Sequence, residues 1–219
     1  MKIKPILFNT DMVHSLLDGH KSVTRRVVKP QPEGKPYPMP QGSCWPGYFG
    51  TMESARVFAP PYRPGDILYV RETWNGDWCD HYIYKADGGS AKAAGYGEEP
   101  KWHPSIHMPK EAARLFLRVT GVTAKHVQDI TDEDARKEGC TGREDFHRVW
   151  NDCYAKPRPI KDECGVITHY ESYPWEDIRE TRTYRGKPWH VIGNPWVWVI
   201  EFERCERPRG TNSAPADEG

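Results

Sequence analysis

Long apolar runs are missing from this chain of 219 residues. No stretch approaches the roughly 18 consecutive apolar residues of a membrane-spanning helix, and the opening MKIKPILFNTDMVHS has no run of signal-peptide length. Net charge is missing too. The 31 Lys and Arg balance the 31 Asp and Glu, so no overall field draws the chain to nucleic acid or a membrane, and any such partner needs a local patch. The six cysteines, at 44, 79, 140, 153, 164 and 205, form no C-x-x-C pair. That spacing without an export signal reads as reduced thiols, and the expected location is the cytoplasm. Absent as well are a phosphate-binding loop, a G-x-S-x-G nucleophile turn and a dinucleotide fingerprint, so no cofactor is expected.

What the chain does have is 20 Pro and nine Trp in a sequence only 37% hydrophobic, which suggests a compact core carrying long ordered loops. NTDMVHSLLDG reads as a short helix capped by Thr10 or Asp11, with Met12, Val13, Leu16 and Leu17 on one face and Gly19 as its stop. After the turn at YRPGD comes a strand from Ile67 to Trp74, alternating Ile67/Tyr69/Arg71 against Leu68/Val70/Glu72. DHYIYKAD offers a second strand, and ARLFLRVTGVTAKHVQDI a long strand or bent strand pair. TDEDARKEG is a helix capped by Thr131 and ended by Gly139, and EDFHRVWNDCY puts Phe146, Val149, Trp150 and Cys153 at helical spacing as core contacts. NPWVWVIEFERCER is a closing strand, apolar on both faces from Trp196 to Ile200 as in a covered sheet. The sum is an α+β chain built on a small β-barrel with short flanking helices. It reads as a single domain over 1–208 with Pro/Gly-rich or irregular inserts at about 29–62, 76–110 and 155–194, and a disordered tail at 209–219.

DGHKSVTRRVVK, Asp18 to Lys29, is the densest chemical stretch. Within it GHKSVTRR fits the G-x-K-x-x-[E/T]-x-R signature of ASCH domains, relatives of the PUA fold. RPGDILYVRETW resembles that family's Pro/Gly-Asp strand, and NPWVWVIEFERCE its terminal strand. The resemblance covers about half the chain, residues 3–28, 63–75, 112–154 and 195–206. It implies a PUA-like barrel. With Thr rather than Glu at position 24, three residues after Lys21, the chain is similar to the bacterial ASCH enzymes that deacetylate N4-acetylcytidine. Carrying over their Lys, Thr and Glu gives Lys21, Thr24 and Glu138 as the catalytic set, with Glu133 as the nearest rival for the carboxylate and Glu72 behind it. Arg26, Arg71 and Trp74 are the candidate substrate-binding residues.

The chemistry stands on its own terms. A Thr hydroxyl attacks only when a base takes its proton, and a Lys serves if burial or nearby cations lower its pKa. On a flat strand residues 21 and 24 face opposite sides, so the pair requires a turn between Gly19 and Val23. A carboxylate at Glu138 would orient the ammonium or pass a proton to the departing amine. Each residue also has a plainer reading. Lys21, Arg25 and Arg26 fit a solvated basic stretch, Glu138 a surface helix end, and Trp74, Trp78 and Trp102 core packing rather than base stacking. His103 and His107 have the spacing of a zinc pair on a helix, but Pro104 lies between them and no third ligand is evident, so no metal is expected. The expected activity is hydrolysis of the N4-acyl amide of a cytosine nucleoside or base. The alternatives are a metal-independent nuclease on single-stranded RNA and a non-catalytic RNA reader, and the balanced net charge weighs against both.

Overall fold

The computed structural model describes residues 1–33, 36–38, 49–51, 57–76, 82–88 and 101–208. The elements in chain order are β1 (Ile3–Leu7), α1 (Thr10–Leu17), β2 (Val23–Val27), β3 (Pro36–Pro38), β4 (Phe49–Thr51), β5 (Val57–Phe58), β6 (Ile67–Arg71), β7 (Trp74–Asn75) and β8 (Ile83–Tyr84). They continue with β9 (Phe116–His126), α2 (Asp132–Lys137), α3 (Arg143–Tyr154), β10 (Arg158–Lys161), β11 (Ile167–Ser172), β12 (Arg179–Tyr184), β13 (Lys187–Ile192) and β14 (Trp196–Cys205). The chain is thus α+β, mostly sheet with few helices. Among the described residues no sheet closes into a barrel, and no helix is long and apolar enough to cross a membrane. The expected tail at 209–219 and Trp78 lie outside the described residues.

The chain divides into two compact units, and β9 and β14 each contribute to both. The first takes Met1–Ser22, Tyr62–Thr120 and the chain from Glu201 onward. There β1 runs parallel to β6, and β6 pairs antiparallel with β9 through Ile67↔Arg118 and Tyr69↔Phe116. Ile67, Met108, Ala112, Ala113 and Phe116 form a core cluster, against which Tyr69, Trp74 and Tyr84 pack. Helix α1 buries Val13 and Leu16, each contributing about 1.5–3 kcal/mol of burial. Its cap is Asn9, whose side chain accepts from the Met12 amide, and not Thr10 or Asp11. Three cap-competent residues stand in a row, and the one with extended backbone immediately before the helix takes the role. Gly19, at φ +76°, ends the helix as expected, since a side chain is strained in the left-handed region. The chain then hooks back, with the His20 and Lys21 amides both donating to the Ser15 carbonyl at 2.9 Å. The strand expected from Ile67 to Trp74 stops at Arg71, and Trp74 begins a separate two-residue strand.

The second unit holds Val23–Pro61 and Gly121–Ile200. Strand β2 lies beside β14. The Val28 amide donates to the Trp196 carbonyl, and the Gln31 side chain clamps the same junction by donating to the Val28 and Trp196 carbonyls and accepting from the Trp196 amide. Val23, Val197 and Val199 from the strands meet Ala135 of α2 and Phe146 and Trp150 of α3 in one cluster, which fixes α2 against β2. The expected bounds of α2 hold, with the Thr131 hydroxyl accepting from the Asp134 amide at its start. Residues 155–194 are not the irregular insert expected of them. They form a four-stranded sheet, β10-β11-β13-β12, parallel only between β11 and β13. Its strands are short and bury few apolar side chains, so the period-two signal that marks a strand is faint.

Candidate functional site

Strand β2 places three of the residues that matter. Thr24 is 1% exposed and Arg25 3%, so neither is part of a solvated surface. Alternation along the strand gives Thr24 and Arg26 one face and Arg25 the other. On the first face the Arg26 guanidinium donates from Nη1 to Thr24 Oγ1 at 2.9 Å and to the Arg25 carbonyl at 3.0 Å. A guanidinium on a hydroxyl oxygen favours any negative charge that develops there. Arg26 was expected at a substrate, and it reaches the candidate nucleophile itself.

On the other face Arg25 donates from Nη1 to Glu138 Oε1 at 3.1 Å and from Nη2 to Asp134 Oδ2 at 3.2 Å. Its guanidinium lies 5.7 Å from the Phe146 ring centroid, and its buried Nε has no hydrogen-bond partner. Asp134 and Glu138 stand four residues apart, hence on one face of the helix end, which lets one guanidinium bridge both. Glu138 is buried, not a surface helix end. Its rival Glu133 is exposed and pairs with Lys137 at 2.7 Å in an ordinary i,i+4 ion pair. Arg25 is absent from the candidate set that the sequence suggests, yet it anchors both carboxylates. The available signal was the spacing of two carboxylates on α2 beside a strand carrying adjacent arginines.

Lys21 belongs to the first unit. It is 3% exposed, with Nζ 5.5 Å from the Phe8 ring centroid, so it too is no solvated charge. The chain turns at Asp18 and Gly19, Lys21 follows that hook, and regular strand begins at Val23.

Elsewhere in the first unit, Arg71 donates to the Met108 and Ile106 carbonyls at 2.8 and 2.6 Å and so pins that loop. Trp74 is half-buried. Its ring lies 5.2 Å from that of His103 and 5.7 Å from that of Tyr82, and its buried Nε1 has no partner. Trp102 is also half-buried. His103 is tied to Trp74 by paired backbone hydrogen bonds, and His107 lies exposed on a single helical turn. Among the described residues no three His, Cys, Asp or Glu side chains are grouped to hold a metal. Glu72, the remaining carboxylate, is 1% exposed and is held by Arg114, which donates from Nε at 2.9 Å and Nη2 at 3.0 Å. Arg114 also binds Asp87 and lies 4.0 Å from the Tyr84 ring centroid. Burial pushes the Tyr84 phenol up to about 12, against the opposing pull of Arg114, and the hydroxyl donates to the Ala112 carbonyl.

An open cavity of about 480 Å³ lies at the start of α3, lined by Asp132 and residues 141–145. Two of its carboxylates are committed to the backbone. Asp132 accepts from the Arg143 amide and Asp145 from Thr141. None of the sequence-derived candidates lines it.

Compared with protein-family models, curated proteins and solved structures, the chain matches none.

Proposed function

We propose that this protein is an amidohydrolase that cleaves the N4-acyl amide of acylated cytosine nucleosides or bases, a cytoplasmic member of the ASCH group with a PUA-like lineage. The observation that carries the reading is the buried Thr24 hydroxyl accepting from Arg26, inside a segment that fits the ASCH signature from Gly19 to Arg26. The pairing of Lys21 with Thr24 rests on that signature.

In the proposed reaction the neutral Lys21 amine takes the Thr24 hydroxyl proton as Oγ1 attacks the acyl carbon. The guanidinium of Arg26 offsets negative charge at the reacting oxygens. As the tetrahedral intermediate collapses, the carbon–nitrogen bond breaks, and the exocyclic nitrogen takes a proton to leave as the free cytosine amine. Water then hydrolyses the threonyl ester, releasing the carboxylic acid and restoring the hydroxyl. The orienting or proton-passing role of Glu138 rests on the resemblance alone, since Arg25 holds that carboxylate on the face of β2 opposite Thr24.

The test is direct. Purified protein is mixed separately with N4-acetylcytidine, N4-acetylcytosine and single-stranded RNA, and the products are separated by chromatography. The expected result is cytidine or cytosine with one equivalent of acetate and intact RNA. Unchanged acyl compounds in the presence of folded protein would refute the reading, and RNA fragments would replace it with a nuclease.

A further inference from the structure

Strands β12 and β13 form a hairpin closed by Arg185 and Gly186, with Tyr184 paired to Lys187 across the turn. Both turn residues have positive φ, 49° and 71°, the backbone that a two-residue hairpin turn of this hand requires. Asn-Gly is the usual sequence there, and here an arginine takes the first position, presented at the tip. From Ile178 to His190 the chain carries Arg179, Arg182, Arg185 and Lys187 against a single carboxylate, Glu180, which pairs with Arg182.

Pairing Arg182 with Trp189 and Tyr184 with Lys187 puts these four side chains on one face of the hairpin. The Arg182 guanidinium lies 5.2 Å from the Trp189 ring centroid, and that of Arg185 5.4 Å from the Tyr184 ring centroid. Tyr184 in turn meets Tyr170 of β11 edge-on at 4.9 Å, and Trp189 Nε1 donates to Ser172 Oγ. The two rings are half-exposed and braced by neighbours on the same face of the sheet, while Arg182 and Arg185 are exposed and Lys187 is half-buried.

Fixed π-faces interleaved with planar cations suit one ligand chemistry, a flexible phosphodiester strand whose unpaired bases can stack. We infer that this hairpin binds single-stranded nucleic acid, with bases stacking at Tyr184 and Trp189 and phosphates meeting Arg182, Arg185 and Lys187. None of these residues is among those proposed for hydrolysis, and the inference does not depend on that reading. It also resolves how a chain of zero net charge engages a polyanion, since the attraction is local.

The test is fluorescence anisotropy of the full chain with a labelled oligouridylate, the matching deoxy-oligomer, a double-stranded RNA and a polyglutamate peptide, over a range of salt. The single strands should bind saturably, with log affinity falling against log salt at a slope of about −2, or −0.7 for each of three phosphates. The two single-stranded arms distinguish a ribose from a deoxyribose source. Arg182→Ala with Arg185→Ala should flatten the slope by about 1.4, and Tyr184→Leu should weaken binding roughly tenfold with the slope unchanged, as loss of one stacked base does. All three changes should leave the far-ultraviolet dichroism as in the wild type. Any one of four results overturns the proposal: no saturable binding of single strands at low salt, preference for the duplex, equal affinity for polyglutamate, or unaltered binding by the folded double variant.

Discussion

Replacing Glu138 by Gln should destabilise the second unit more than any other single neutralisation on α2. Arg25 is 1% exposed at its side chain and meets two carboxylates, Glu138 at 5% exposure and Asp134 at 27%. Breaking a buried pair by removing one partner costs about 3–5 kcal/mol, because a charge is left buried without compensation. Here Asp134 remains at 3.2 Å and a Gln oxygen can still accept, so the expected cost is about 2–3 kcal/mol. Asp134→Asn, with its carboxylate better solvated, should cost about 1 kcal/mol or less. Arg25→Met combined with Glu138→Leu removes both charges and should be less destabilised than Glu138→Gln, giving a large favourable coupling in the double-mutant cycle. Urea unfolding reports these values through tryptophan emission, because Trp150 sits in the same cluster as Ala135 of α2. Should Glu138→Gln fall within 0.5 kcal/mol (about the precision at which couplings are resolved) of the wild type, or cost less than Asp134→Asn, the guanidinium is not anchored as argued. Hydrolysis is then measured at a urea-free temperature where Glu138→Gln is folded, and a folded variant of full activity removes that carboxylate from the chemistry.

The other expectations are shorter. Lys21→Ala and Thr24→Ala should each abolish nearly all hydrolysis in a folded chain, and a folded Thr24→Ala protein of full rate would leave water as the attacking group. Burial raises the Asp66 carboxyl, but hydrogen bonds from Lys4 and from the Lys2 and Arg63 amides outweigh it and hold the group below its ordinary 3.8. Its contribution is therefore present above that value and fades as pH falls through the lower folded one, so the stability gap between wild type and Asp66→Asn should shrink in acid. A gap that stays constant with pH would refute this. Arg114→Met should cost the first unit about 3–5 kcal/mol by stranding Glu72, and a loss under about 1 kcal/mol would mean that solvent reaches that carboxylate.

Legibility followed burial. The limits of α2 could be read because a Thr cap, three acidic residues and a terminal Gly agree, and the double-faced apolar run of β14 is buried from Val197 to Ile200. Strand β12, RETRTY, had no such mark. It is an edge strand, exposed from Arg179 to Thr183, so nothing in its sequence separates a face toward the core from one toward water. What holds it is pairing with β13 and the contacts of Arg182 with Trp189, and cross-strand pairs leave no local pattern. The turn gave no warning either, since Arg-Gly is a poor hairpin signal beside Asn-Gly.

The candidate site divides along the same line. Adjacent arginines at 25 and 26 read as one positive patch, yet a strand with a period of two must send them apart. Arg26 turns to Thr24, a partner two residues away on the same face, and that relation is local enough to be read. Arg25 turns to Asp134 and Glu138, more than a hundred residues later, where α2 is carried by contacts of Ala135, Phe146 and Trp150 that no spacing rule supplies. Each half of the pair was visible, two carboxylates four apart and a basic strand, but their meeting belongs to the packing. Whatever Glu138 does, it does from a position that Arg25 sets, on the face of β2 turned away from Thr24.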